Sequence, residues 1–464
     1  MGKPLPVFDF SKLAGQFASL PQQVQQFMTA PGPTSGLSAP GDGRTVDDFK
    51  PYLLALNLTK RCNLKCAHCY LDATTKAGGG SDELTTEECF RLIDQIAEVN
   101  NGCLLVITGG EPLTRPDILD IARHAVKHGF MVVFGTNGML INDQMARTLV
   151  EIGVMGVGIS IDSLDSQKHD TFRGLSGAWA GAVAGIEACK RNGLQFQVHF
   201  SAQPMNYREL PEVVEWAHTI GARVLNVFFM VCTGRGEELT DITPSQYEEV
   251  LSFLVSSQDK YKDMLVRARC APHFKRLAYE KDPNSPITKA TGYMGGGCLA
   301  GTNYARVTPN GELTPCPYMP LSAGNIREKS FVDLWEKSDI FDSFRYPHLK
   351  GKCGDCEYSE ICGGCRARPY VDHGDWLDED QWCLYTPKGG EKVRVAFNTE
   401  EAFAGTWEDA AQTRLGRIPY FLRAMVKKGV ERQAREQGLT VITVELMEEL
   451  RKKRFGNDAP VFKF

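Results

Sequence analysis

Tyr52-Leu-Leu-Ala-Leu-Asn-Leu58 is an apolar run that breaks, after Thr59-Lys-Arg61, into Cys62-Asn-Leu-Lys-Cys66-Ala-His-Cys69-Tyr70. A short run that stays apolar on both faces is the pattern of a strand buried inside a parallel sheet. The loop after it carries three thiols spaced C-x3-C-x2-C. Three thiolates on one loop can hold three irons of a four-iron four-sulfur cube and leave the fourth iron open. An open metal position is where a small molecule can chelate. A zinc ion would ask for a fourth ligand, and His68 stands ready as one, so that alternative stays open here.

Working outward, the same strand-then-helix rhythm repeats. Apolar runs at Tyr52–Leu58, Cys103–Thr108, Met131–Thr136, Val154–Ile161, Phe196–Ser201 and Val224–Met230 alternate with stretches of helical spacing. Those stretches are Thr85–Val99, Asp117–His128, Asp143–Ile152, Ala178–Asn192, Arg208–Ile220 and Pro244–Val255. Six such repeats predict an α/β fold, a partial (β/α)6 barrel of parallel strands over residues 51–257. In such folds the site gathers at the C-terminal ends of the strands. The second strand ends there in Thr108-Gly109-Gly110-Glu111-Pro112. Paired glycines allow close backbone approach to a ligand, and Glu111 offers an acceptor to a cationic amine; a plain strand-to-helix turn is the competing reading. The third strand ends in Thr136-Asn137-Gly138 and the fourth in Ser160-Ile-Asp162-Ser163, with Arg173 further on. Ser160 and Asp162 share a strand face and suit ribose hydroxyls, while Arg173 suits a carboxylate.

The remaining chain has a different texture. Residues 1–50 read as an arm, with one amphipathic helix at Ser11–Met28 and a Pro/Gly/Ser-rich linker at Ala30–Arg44. Residues 258–387 are rich in Gly, Pro and Cys, so this segment needs metal staples to hold a shape. Residues 388–406 read as a linker, and 407–464 as a helical module ending in a basic run. A length of 464 residues at roughly 150 per domain fits three modules. The net charge of −5 argues against a nucleic-acid partner, and no run reaches the ~18 apolar residues of a membrane span. With no signal-peptide core at Met1–Pro6, a cytoplasmic location is expected. Fifteen cysteines in a reducing compartment are then ligands or buried thiols, not disulfides. Cys89, Cys103 and Cys189 sit singly in apolar stretches and read as buried thiols.

Cys62, Cys66 and Cys69 after strand one, with Gly-Gly-Glu-Pro after strand two, resemble the radical S-adenosylmethionine enzymes over about Pro51–Arg235. The resemblance implies that the open iron of a [4Fe-4S] cluster binds the amino and carboxylate groups of S-adenosylmethionine. One electron then cleaves the sulfonium to methionine and a 5′-deoxyadenosyl radical. It also implies that Glu111 meets the cofactor's amino group and Tyr70 its adenine, with Gly109, Gly110, Asn137, Ser160, Asp162 and Arg173 around it. Reduced ferredoxin or flavodoxin would donate electrons.

The later cysteines resemble the auxiliary-cluster (SPASM) extension of that superfamily. There Cys353, Cys356, Cys362 and Cys383 would hold an outer cluster, and Cys298, Cys316 and Cys365 an inner one with an open or differently ligated iron. Cys270 is a fourth ligand, a substrate-facing thiol or an inert one. One auxiliary cluster instead of two, or structural zinc, remains open. This sequence places two residues before its sixth cysteine, Gly363-Gly364, where the family has three. Phrases such as Gly301-Thr-Asn-Tyr304, Thr314-Pro-Cys-Pro-Tyr-Met319 and Cys362-Gly-Gly-Cys-Arg-Ala-Arg368 are similar to the haem-biosynthesis branch. That implies a tetrapyrrole substrate, with Arg267, Arg269, Arg366 and Arg368 suited to its carboxylates. A peptide maturase is the runner-up, and a zinc-stapled binding protein the reading from another class. Trp407–Arg454 resembles the C-terminal module of light-independent protochlorophyllide reductase subunits.

Overall fold

The computed structural model describes residues 49–73, 75, 82–231, 233–238, 241–289, 297–393, 405–417, 427, 429–431, 433–435 and 437–455. The expected N-terminal helix and linker, and residues 394–404 of the second linker, lie outside them.

Six parallel strands form where the sequence shows apolar runs: β1 (Leu53–Asn57), β2 (Leu104–Thr108), β3 (Met131–Thr136), β4 (Gly156–Ser160), β5 (Phe196–Ala202) and β6 (Val224–Phe229). Leu54 and Leu56, on one face of β1, are almost wholly buried under the helices. Between the strands run α1 (Thr86–Asn100), α2 (Ile118–Lys127), α3 (Asp143–Ile152), α4 (Ser166–Arg173), α5 (Ala178–Arg191) and α6 (Leu210–Thr219), and α7 (Pro244–Lys260) follows β6. Local chemistry fixes their ends. Thr85 and Glu88 form a capping box at α1, and Asn142 caps α3 by accepting from the Met145 N–H. Gly153, at φ 91°, closes α3 in the left-handed conformation that glycine adopts without strain. On α1, Cys89, Leu92, Ile93 and Ile96 recur at helical spacing and face the core.

The sheet is wider than the six repeats. β7 (Leu265–Arg269) adds in parallel beside β6, and β8 (Tyr304–Val307) adds in parallel on the other side of β1. A two-residue β9 (Leu313–Thr314) closes the edge antiparallel to β8, giving the order β7-β6-β5-β4-β3-β2-β1-β8-β9. Both added strands escape a hydrophobicity reading for a reason. Leu-Val-Arg-Ala-Arg alternates apolar with basic residues, and Tyr-Ala-Arg-Val is only four residues within a loop-rich segment. They start beyond residue 257, so the cysteine-rich segment is woven into the barrel's own sheet.

Contacts divide the chain near residue 395 into two compact units. Within the later unit, Ala411, Val430, Ala434, Ile442, Leu446 and Met447 form a small core with Trp407 packed on it. It is helical, as its pattern predicts, at Asp409–Arg417 and Val444–Phe455, with a two-residue parallel ladder, Thr406–Trp407 against Val441–Ile442, tying it together.

Candidate functional site

The three-cysteine loop leaves β1 at the C-terminal edge of the sheet and is gripped from both sides. Gly110 N–H donates to Thr59 O at 2.7 Å and Glu111 N–H to Arg61 O at 2.8 Å. From the other side Lys65 N–H donates to Arg173 O and Ala67 N–H to Phe172 O, at the end of α4. A Cβ on Gly110 would lie 2.3 Å from Arg61 O, and one on Gly174 would lie 2.5 Å from Lys65 O. The glycines at 109 and 110 therefore bring the backbone against the loop itself, where the sequence suggested approach to a ligand.

Zinc is a poor fit. Tetrahedral thiolates on one zinc ion lie ~3.8 Å apart, given Zn–S of about 2.3 Å. Among the described residues only Asp94 on α1, His124 on α2 and His128 just past its end bring three such ligand atoms within 4.8 Å of one another. The described cysteine sulfurs form no such group. The His68 ring stacks on Phe172 at 4.5 Å, and burial lowers its pKa to about 4, which keeps the imidazole neutral.

Glu111 is fully buried. Its carboxylate accepts from the Leu113 N–H, the Thr136 hydroxyl and the Asn137 N–H, at 2.8–3.2 Å. Burial nonetheless raises its pKa to about 7, because no cation among the described residues pairs with it. A buried carboxylate in want of a cation fits the amino group of S-adenosylmethionine. Asn137 is tied to the loop through Asn63 Oδ1 at 2.7 Å, and the Tyr70 hydroxyl accepts from Asn57 at the end of β1.

Asp162 and Arg173 lie elsewhere than expected. Asp162 is fully buried, and its Oδ2 meets Arg173 Nε at 2.6 Å while Oδ1 accepts from the Ser201 N–H. Arg173 Nη1 lies 3.7 Å from Cys66 Sγ. The two side chains thus engage each other, and the guanidinium also faces the Cys66 thiol. Both pKa values move toward the charged forms: against burial, the mutual attraction holds Asp162 down and Arg173 up. Ser160, half-buried at the end of β4, stands nearby.

The later cysteines fall into two groups of four. Cys353, Cys356, Cys362 and Cys383 line one cavity. Cys270, Cys298, Cys316 and Cys365 gather as a second set. Burial pushes Cys270 up to about 12 and Cys365 up to about 11, with the other thiols of this set adding to the effect. Cys316 is raised for the same reasons, and the thiols it feels are Cys270, Cys365 and Cys298. Cys270 is one of two non-glycine described residues at positive φ, 57°, and Arg368 holds its carbonyl at 2.8 Å. A strained backbone at that thiol is sustained by its surroundings. Gly363 and Gly364, both at left-handed φ (66° and 69°), turn the chain sharply enough to send Cys362 to one set and Cys365 to the other. Cys89, Cys103 and Cys189 are buried singly, with their thiols raised by burial.

Two of the expected substrate arginines are engaged internally. Arg366 donates to Trp376 O and Asp378 O, and Arg368 pairs with the buried Asp380 beneath Trp382 at 4.1 Å. Arg267 and Arg269 lie on β7, where Arg269 donates to Asn226. Sequence reasoning passed over Arg306 on β8, and Tyr318 entered it only within the Thr314–Met319 phrase. Only the strand alternation of Tyr304-Ala-Arg-Val307 could have signalled the first.

This sheet, its three-cysteine loop and the two thiol sets define a radical SAM protein with an auxiliary iron–sulfur domain. The family models agree: radical SAM superfamily over residues 56–217, iron-sulfur cluster-binding domain over 298–366, and proto-chlorophyllide reductase 57 kD subunit over 407–451. The AdoMet-dependent heme synthase of Methanosarcina barkeri is 40% identical over 343 residues, 73% of this chain and 97% of that protein. The enzyme of the same name from Oleidesulfovibrio alaskensis is 37% identical, over 74% of this chain and 90% of its own. The chain belongs to this family, the AdoMet-dependent heme synthases. It is an enzyme that uses S-adenosylmethionine, a radical SAM [4Fe-4S] cluster and auxiliary iron–sulfur chemistry. PqqA peptide cyclase of Granulibacter bethesdensis matches at 26% identity over 73% of this chain and 88% of its own. Among solved structures, SuiB of Streptococcus suis bound to S-adenosylmethionine shares the fold, with a TM-score of 0.59 at 18% identity, covering 73% of this chain and 78% of that one. Among the described residues, no helix is long and apolar enough to cross a membrane.

Proposed function

We propose that the enzyme oxidatively decarboxylates propionate side chains of an iron tetrapyrrole to vinyl groups. The observation that carries this is the 40% identity extending over 97% of an AdoMet-dependent heme synthase; the peptide-modifying relative matches less closely. When bound, S-adenosylmethionine and a cluster held by Cys62, Cys66 and Cys69 would supply a 5′-deoxyadenosyl radical, and an auxiliary cluster would supply an electron acceptor. On the substrate, loss of a β-hydrogen atom, carbon dioxide and one electron leaves the vinyl group.

The chain's own residues prepare that chemistry. Glu111, kept dry by burial, accepts the cofactor's ammonium, and Tyr70 and Asn137 border the same loop. Asp162 steers Arg173 toward Cys66, and Ser160 offers a hydroxyl at the end of β4. Cys353, Cys356, Cys362 and Cys383 hold one auxiliary cluster. Cys298, Cys316 and Cys365 hold the other, with Cys270 as its fourth ligand, which its place and strained backbone support. Reduced ferredoxin or flavodoxin is the proposed electron donor and the cytoplasm the proposed location, which the wholly thiol state of the described cysteines supports. The test is anaerobic turnover of iron coproporphyrin with S-adenosylmethionine and a reductant, followed by mass spectrometry. Loss of carbon dioxide and two hydrogens per propionate is the expected result. Deoxyadenosine formed beside an unchanged porphyrin would overturn the substrate.

A further inference from the structure

Arg306 is 93% buried in effect, with 7% of its surface exposed, on the inward face of β8 in register with Ala55 of β1. Its Nη1 donates to Pro317 O at 3.0 Å, and its Cζ lies 5.9 Å from the centre of the Tyr70 ring. Its Nε is buried without a hydrogen-bond partner. Four other buried arginines set the contrast: Arg173, Arg276, Arg345 and Arg368 each face a carboxylate, while Arg366 spends its donors on the carbonyls of Trp376 and Asp378. No Asp or Glu among the described residues faces Arg306. A buried cation with an unmet donor is costly unless an anion completes it.

Its place says which anion. Tyr70 follows Cys69 on the first cluster loop, and Pro317 follows Cys316 of the inner thiol set. Tyr70 and Tyr318 meet edge to face at 5.6 Å across the same gap. The guanidinium thus spans the loop where the radical arises and the turn toward which the electron must leave. A substrate oxidised between the two has to occupy that interval.

We propose that Arg306 is the residue that seats a carboxylate of the substrate between the two centres. The proposal rests on the tetrapyrrole reading and names the group that recognises it. A guanidinium grips a carboxylate with two parallel hydrogen bonds, which also fixes the orientation of the side chain it carries.

The test is equilibrium binding of iron coproporphyrin, and of its methyl ester, to the cluster-loaded enzyme without reductant, followed by the Soret band. Wild type, Arg306→Gln and Arg306→Lys are compared, with iron content and cluster potentials measured on the same samples. Loss of one charged hydrogen-bonding pair corresponds to a rise in Kd of about tenfold to a hundredfold. That rise is expected for the free acid with Arg306→Gln, an intermediate one with Arg306→Lys, and none for the ester. Equal weakening of acid and ester, or unchanged binding of the acid with a shifted cluster potential, would overturn the proposal and assign Arg306 to packing or to the cluster. If Arg306→Gln loses its clusters, the acid-to-ester comparison in Arg306→Lys decides in the same way. Failure of the wild type to bind the porphyrin at all would overturn the tetrapyrrole reading and this proposal with it.

Discussion

At Glu111 burial and hydrogen bonding pull in opposite directions, and burial wins, raising the carboxyl from 4.5 to about 7. A folded value above the unfolded one gives stability that is fully present below pH 4.5 and is lost as pH rises through about 7. Glu111→Gln should remove that slope from urea-unfolding series run across this pH range. An ammonium ligand needs the ionised form, so affinity for S-adenosylmethionine should fall by up to tenfold per pH unit below about 7, with proton release on binding. Calorimetry in buffers of different ionisation enthalpy checks this, and Glu111→Gln should flatten the dependence while weakening binding. Asp162→Ala leaves the buried Arg173 without its counter-ion and should cost about 3–5 kcal/mol in denaturant unfolding. The placement of the cysteine loop after β1 and of the buried Glu111 after β2 was legible in the sequence, because spacing and strand position mark both. The Asp162–Arg173 pair was not, since eleven residues and the eight-residue α4 separate them and only the folded helix closes the distance. Arg306 was hidden for another reason: a missing partner leaves no mark in the sequence.

Strands and helices follow the sequence wherever burial is continuous. α3 matches its pattern at both ends because Asn142 and Gly153 punctuate it. β7 and β8 were illegible because strands that carry arginines inward look solvent-facing to any hydrophobicity count. The grip on the cluster loop can be tested at the glycines. Gly110→Ala would drive a Cβ into backbone at 2.3 Å, so the loop must shift. Iron per chain should fall by about four, the content of one cube, with the far-UV spectrum unchanged. Gly153→Ala serves as the contrast: it strains a helix end by ~1 kcal/mol, where Val126 lies at 3.1 Å, and should leave the iron in place.

For the whole molecule, three thiol groups predict about twelve irons per reconstituted chain if each holds a four-iron cube. Cys270→Ser should alter the electron paramagnetic signal of one auxiliary cluster without reducing the affinity for S-adenosylmethionine. Unchanged spectra would remove Cys270 from the ligand set. Texture suggests an order of modules: alternating runs, then cysteine-rich loops, then helices. What texture could not show is that the second segment lends a strand to the first. β1 pairs with β2 about fifty residues on, yet its other neighbour, β8, is about 250 residues away. At roughly 5–20 residues per second of synthesis, that partner reaches the growing chain some 10–50 s later. During that wait the nascent protein displays a Leu-Leu-Ala-Leu-Asn edge with unpaired amides, the kind of surface that invites pairing with a neighbouring chain. Slow translation, crowded polysomes or scarce chaperones should therefore lower the yield of this protein well before its iron supply does.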